Sequence, residues 1–306
     1  MIIKTTGHIG SGLYVLGTNR VPQYLIDGKR PVLFEGGFSC LGPAYKNDLT
    51  KILGGRPPEY LFMTHAHFDH CGSVAFLKKA FPSMKVAGSK RAAEILSRPG
   101  AIQLITALNQ AGRETILKWF PDLASEEVFQ PFSLDQVLSD GDRIDLGGDL
   151  HIEVLATPGH TWDSLSYYLP ERRILIASES AGCMDNTGYM ITEFLVDYQA
   201  YIDTINRLNR LDVDILCQGH GSVFTGEEAK DFFRHSLKAA REFKTFVEAS
   251  LLAEGGDIRK AVIRIKAEEY DSKPEPKQPE PAYLLNLEAR VKHLAKLMET
   301  KSSMLK

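Results

Sequence analysis

Thr64-His65-Ala66-His67-Phe68-Asp69-His70 follows the apolar run Tyr60-Leu61-Phe62-Met63, which reads as a buried strand. Five of these seven residues can bind a metal or orient a ligand that does. Side chains at i and i+2 of an extended segment point the same way, so His65 and His67 can grip one cation together. Asp69 and His70 then face a neighbouring position. Helical character resumes from Gly72 to Ala80, which places the cluster where a strand hands over to a helix N-terminus. A bare helix N-terminus repels cations, and Asp69 offsets that repulsion. This crowding of ligands points to two metal ions a few ångströms apart.

Upstream, Leu13–Leu16, Tyr24–Ile26 and Pro31–Phe34 read as short strands punctuated by Gly17-Thr18-Asn19, Asp27-Gly28 and Glu35-Gly36-Gly37, with Asp27-Gly28 as a hairpin signal. A helix is predicted over Tyr45–Leu53. Downstream come helices at Lys90–Leu96 and Ala101–Phe120, the latter placed to cover a substrate. Four strands follow, Arg143–Leu146, His151–Leu155, Ser164–Tyr168 and Arg173–Ala177, then an amphipathic helix over Tyr198–Leu211 and a buried strand Asp214–Cys217. Two strand-rich halves, each with helices, predict a layered α/β sandwich. Three further candidate ligands sit just past strand ends: His160 in Thr157-Pro158-Gly159-His160-Thr161, Glu179 in Ser178-Glu179-Ser180, and His220 in Gln218-Gly219-His220-Gly221. Strand ends along one edge of an α/β fold are where distant loops converge.

After Thr225-Gly226 the composition shifts to helix formers. Phe233, Leu237, Ala240, Phe243, Val247 and Leu251 recur at helical spacing, and Leu284, Leu287, Val291, Leu294 and Met298 do so after a Pro-rich connector, Lys273–Pro281. The expected organisation is a catalytic domain over residues 1–225 and a helical extension over 226–306, packed on that domain or on a second subunit. The extension's apolar face favours a homodimer. Tyr189, Met190 and Phe194, close after Glu179, either line an acyl pocket or pack against these C-terminal helices.

A net charge of -3 in 306 residues, with no basic stripe, argues against a nucleic-acid partner. Cys40, Cys71, Cys183 and Cys217 are scattered without a CxxC pair, so reduced thiols are expected. No apolar run approaches a membrane span and the first residues lack a signal-peptide pattern; no membrane partner and a cytoplasmic location are expected.

The HxHxDH run His65, His67, Asp69, His70, with the later His160 and His220, resembles the metallo-β-lactamase-fold hydrolases over roughly residues 10–225. That resemblance implies a four-layer αββα sandwich with a binuclear centre at one edge. It implies that His65, His67 and His160 hold the first metal, that Asp69, His70 and His220 hold the second, and that Glu179 bridges them. Two departures stand out. The bridging residue is usually Asp, and Ser178 precedes it where Gly is usual. The early Asp-x-Gly motif reads Glu35-Gly36-Gly37. That Glu-Gly-Gly, Asp69-His70-Cys71-Gly72 and the helical C-terminus look most like the PqsE-type quinolone-signal-response thioesterases.

Two divalent cations, zinc first, with iron or manganese as alternatives, would make a bridging hydroxide available near neutral pH. The expected function is a metal-dependent hydrolase of a small ester-like substrate, thioester or lactone, with Asp69 shuttling the proton. Thr64, Thr161, Asp163 and Glu35 are candidates for orienting the imidazoles. His8, His151, His235 and His293 are read as structural. The altered Glu179 and Glu35 positions and the large helical surface support the alternative, a regulatory or binding protein with a residual metal site that acts through a protein partner.

Overall fold

The computed structural model describes residues 1–274 and 277–304, so Glu275 and Pro276 of the Pro-rich connector lie outside the described residues. Strand β1 (Ile2–Ile3) is followed by seven strands that form the first sheet in chain order: β2 (Gly7–Gly10), β3 (Leu13–Thr18), β4 (Val21–Ile26), β5 (Val32–Phe34), β6 (Tyr60–Phe62), β7 (Lys85–Ser89) and β8 (Gln136–Leu138). The second sheet comprises β9 (Arg143–Gly147), β10 (Leu150–Ala156), β11 (Leu165–Leu169), β12 (Ile174–Ser178), β15 (Ile215–Gln218) and β16 (Val223–Thr225), closed at the β16 edge by β1. A ribbon of β13 (Cys183–Met184) and β14 (Met190–Ile191) stands apart.

Helices cover both outer faces. Those between β5 and β8 are α1 (Gly42–Leu53), the single turn α2 (Phe68–Cys71), α3 (Val74–Ala80), α4 (Lys90–Leu96) and α5 (Pro99–Trp119). Between β14 and β15 lies α6 (Tyr198–Leu208), and after β16 come α7 (Glu227–Ala253), α8 (Ile258–Lys266) and α9 (Glu280–Met304). The αββα sandwich expected from the sequence is the fold.

The period-2 pleat sorts each central strand between two cores. Leu33 and Leu61 pack outward under α1, α3 and α5, whereas Val32, Phe34, Tyr60 and Phe62 fill the space between the sheets. On the other side Ile174 and Ile176 point into the sandwich, and Leu175 and Ala177 meet the helices. These strands are buried on both faces, which explains their continuous apolar runs.

The apolar residues of α7 and α9 join this last core. Phe233, Phe243, Val247, Leu287, Val291 and Leu294 pack with Tyr201, Leu216 and Phe224 in one cluster. Phe194, which the sequence left between pocket and packing, is fully buried there against Tyr198 and Phe243.

Several boundaries differ from the sequence reading. β3 and β4 run to Thr18 and from Val21, so the turn is Asn19-Arg20 and not Gly17-Thr18-Asn19. The helix expected from Gly72 begins instead at Val74 as α3, and a separate single turn, α2, precedes it with Gly72-Ser73 between them. Helix α6 stops at Leu208, not Leu211. The strands β1 and β2, the β13–β14 ribbon and α8, with its π-helical turn Ala267–Asp271, have no counterpart in the sequence reading.

Candidate metal centre

The site lies at one edge of the sandwich, past the ends of β6, β10, β12 and β15. Residues Met63–His67 leave β6 extended, and His67 caps the single turn α2 that carries Asp69 and His70. The loops after β10, β12 and β15 bring His160, Glu179 and His220 to the same place. The structure gathers all seven sequence-predicted residues into three overlapping triads, His65/His67/His160, His65/His70/Glu179 and Asp69/His70/His220, whose ligand atoms lie within 4.8 Å of one another in each triad.

Glu179 stands at the middle. Its Oε1 is 2.9 Å from His70 Nε2 and 3.0 Å from His220 Nε2, and its Oε2 is 3.7 Å from His65 Nε2. Asp69 lies 3.4 Å from His220 Nε2 and 3.8 Å from His70 Nε2. His160 Nε2 is 3.2 Å from His67 Nδ1. His65, His70, His160 and Glu179 are at most 3% exposed, while His220 keeps a more open position at the rim.

Four imidazoles are oriented by acceptors outside the cluster. The Nδ1 of His65 is 3.0 Å from Thr64 Oγ1, that of His70 is 2.9 Å from Glu35 Oε2, that of His160 is 2.7 Å from the Glu193 carbonyl, and that of His220 is 3.0 Å from the Arg20 carbonyl. Thr64 Oγ1 donates onward to Glu35 (2.9 Å), which leaves it an acceptor toward His65. With the proton on each Nδ1, Nε2 is the nitrogen turned inward, where it can take a proton shared with a carboxylate or a cation in its place.

Charges sort the same groups. Burial pushes His65 well below the ordinary histidine value, with His70 and His67 adding repulsion, and burial with His67 beside it takes His160 down to about 3. At His70 burial is outweighed by Glu179, Glu35 and Asp69, so its value rises. At His220 burial is outweighed by hydrogen bonds to Asp69 and Glu179, which lift it to about 10. Burial opposes ionisation of Asp69 and Glu179, yet His70 and His220 hold both carboxyls below the usual range.

This donor set fits divalent cations. Imidazole nitrogens and carboxylate oxygens converge, and His65 Nε2 is buried with no hydrogen-bond partner among the described residues, as suits an atom able to coordinate a cation.

The metallo-β-lactamase superfamily profile matches residues 16–220, a span that includes every one of these side chains. The chain belongs to the metallo-β-lactamase superfamily. A curated relative, the atrochrysone carboxyl ACP thioesterase of Aspergillus fumigatus, is 21% identical over 72% of this chain and 54% of its own length. The β-lactamase-like protein 2 homolog of Caenorhabditis elegans is 25% identical over 76% of this chain and 64% of its own. The chain thus spans between about half and two-thirds of these relatives. Among solved structures, a metallo-β-lactamase family protein of Thermus thermophilus superposes with a TM-score of 0.64 at 18% identity, covering 95% of this chain and 94% of that one. That likeness is one of fold.

Two residues beside the candidate ligands hold a strained backbone. Glu35 (φ 72°) and Ser178 (φ 50°) are non-glycine residues in the left-handed region, and both are buried at the site. Ser178 Oγ donates to Glu179 Oε2 (2.6 Å) and steadies that carboxylate.

Of the four expected orienting residues, Thr64 and Glu35 touch imidazoles. Asp163 instead accepts from the Ala66 backbone N–H (2.8 Å) and acts on His67 through its charge, and Thr161 pairs with Ser164; neither makes a hydrogen bond to an imidazole among the described residues. Sequence reasoning missed Asn109 of α5, whose Oδ1 accepts from Ser39 N–H (2.9 Å) and whose Nδ2 donates to the Phe68 carbonyl (2.8 Å). It also missed the Glu193 and Arg20 carbonyls. Main-chain acceptors leave no mark in a sequence; an asparagine in an apolar helical repeat was the one available signal.

Proposed function

We propose that this chain is a binuclear metal-dependent hydrolase of a small ester-like substrate, a thioester first and a lactone second. In this reading His65, His67 and His160 hold one cation, Asp69, His70 and His220 hold the other, and Glu179 bridges them. The observation that carries it is Glu179, which presents one oxygen toward His70 and His220 and the other toward His65. Two bound divalent cations, with zinc favoured and iron or manganese fitting the same donors, would supply a hydroxide near neutral pH and polarise the substrate carbonyl. Asp69 sits among the ligands as the group that accepts and passes on the proton.

The thioester preference rests on the distant thioesterase relative, which is longer than this chain, and on the resemblance to the PqsE-type thioesterases carried by Glu35-Gly36-Gly37, Asp69-His70-Cys71-Gly72 and the helical C-terminus. A homodimer through the C-terminal helices would use their outer faces, because the inner ones are covered.

Elemental analysis of protein purified without chelator, run beside a screen of acyl thioesters, lactones and phosphodiesters, tests this function. Two equivalents per chain and turnover lost on chelation are expected, and His67→Ala should abolish turnover with the fold retained. Absence of metal and turnover after reconstitution with zinc, iron and manganese would transfer the assignment to a partner-binding protein with a residual site.

A further inference from the structure

His160 takes its orientation from a main-chain carbonyl, that of Glu193, in the short segment between β14 and α6. The peptide group just before that carbonyl is held at both ends. Its C=O, from Thr192, accepts from Arg290 Nη1 (3.0 Å), and its N–H, from Glu193, donates to Tyr201 Oη (3.2 Å). With this peptide plane held, only the φ and ψ of Glu193 lie between it and the carbonyl that meets His160.

Arg290 reaches the segment from α9. It is 1% exposed, its guanidinium lies over the Phe243 ring (4.3 Å), and its Nη2 is 3.4 Å from Glu269 Oε2. Tyr283 and Tyr189 donate to the two oxygens of Glu269 (2.6 and 3.1 Å). The joint is nevertheless incompletely satisfied. Arg290 Nε, Thr192 Oγ1 and Glu193 Oε2 are buried without hydrogen-bond partners. A buried arginine with an unmet N–H is a poor way to stabilise a core that apolar residues of similar volume could fill. Its geometry, by contrast, suits positioning.

We infer that Arg290 is a positioning residue of the metal centre: from the C-terminal helices it fixes the Thr192–Glu193 peptide and, through the Glu193 carbonyl, the tautomer and aim of His160. The helical extension is therefore part of the site. The inference rests on the reading of His160 as a metal ligand. Metal sites tolerate only small errors in ligand distance, and changes in the groups that orient ligands typically weaken binding 10–100-fold.

The test compares full-length Arg290→Lys, Arg290→Met, Tyr201→Phe and Leu251→Ala. The first readout is the ¹⁵N shifts of the His160 ring in metal-free protein, which report the tautomer. The second is the zinc dissociation constant by chelator competition. Wild type should hold one Nδ1-protonated tautomer. Both Arg290 variants and Tyr201→Phe should mix tautomers and weaken zinc by roughly tenfold or more. Leu251→Ala, a buried apolar residue of α7 in the same cluster, loosens the helices without touching Arg290, Glu269 or the 192–193 peptide and should leave both readouts unchanged. If Arg290→Met does not fold, Arg290→Lys and Tyr201→Phe decide. A wild-type tautomer and affinity in those two variants, with only a loss of thermal stability like that of Leu251→Ala, would overturn the inference. Should wild type bind no zinc, the metal assignment fails alone, and the ring shifts still decide whether Arg290 positions His160.

Discussion

Glu179 directs one oxygen toward His70 and His220 and the other toward His65, and the surrounding residues hold it there. Ser178, in a left-handed conformation that costs of the order of 1 kcal/mol or more, donates to one carboxylate oxygen and leaves the other facing His70 and His220. Shortening the side chain should undo this reach. Glu179→Asp is expected to lower zinc affinity about tenfold with little change in unfolding midpoint, measured by chelator competition and thermal melting. The glycine before His220 is constrained from the same direction, because a Cβ on Gly219 would overlap both Glu179 oxygens. Gly219→Ala should therefore displace the carboxylate and lose one of two metal equivalents by elemental analysis. Retention of both equivalents would mean that Glu179 does not bridge.

The element that organises the histidine loop is α5. Its Asn109 ties two separate backbone segments, the Ser39 N–H and the Phe68 carbonyl just before Asp69. Gly72 packs so closely on this joint that a Cβ there would meet Asn109 Oδ1, the Ser39 nitrogen and the Gly37 carbonyl oxygen. Asn109→Leu should leave a buried donor and a buried acceptor unmatched, at a cost of about 1–3 kcal/mol for each group. Urea denaturation should register that loss, and hydrogen exchange should show faster opening of the 68–72 turn than of β5 or β6. Unchanged exchange in that turn would count against Asn109 as the clamp. Element types were readable from hydrophobic periodicity, and the errors fell at ends and in short pieces. The split between α2 and α3 arises because Gly72 and Ser73 are drawn against the 36–39 loop, with Ser73 N–H and Gly72 N–H bonded to the Gly36 and Gly37 carbonyls. No local propensity encodes such a contact.

Across the whole molecule, the sandwich interior and the two outer cores share no gap between residues 1–225 and the helices that follow. Leu216, Phe224 and Tyr201 lie in one apolar cluster with Phe232, Val247 and Leu287. A chain ended at Thr225 is expected to expose that face and to be aggregated or molten, with dye binding to apolar surface and loss of near-ultraviolet dichroism. A cooperative, soluble 1–225 fragment would show that the helices are dispensable for folding. The sequence by itself determined the layered α/β architecture and the seven candidate ligands. Strand periodicity reports which faces are buried, and a dense run of imidazole and carboxylate side chains has few uses besides holding cations. What only the tertiary structure decided is how those side chains are aimed. Two of the four orienting groups, Thr64 and Glu35, were legible; the other two are the backbone carbonyls of Arg20 and Glu193, and the peptide before the latter carbonyl meets an arginine from near the far end of the chain. A carbonyl is present at every residue, and Arg290 sits in a helix whose pattern speaks only of packing. Their roles arise from contacts between positions far apart in the chain, which folding creates and no local pattern records.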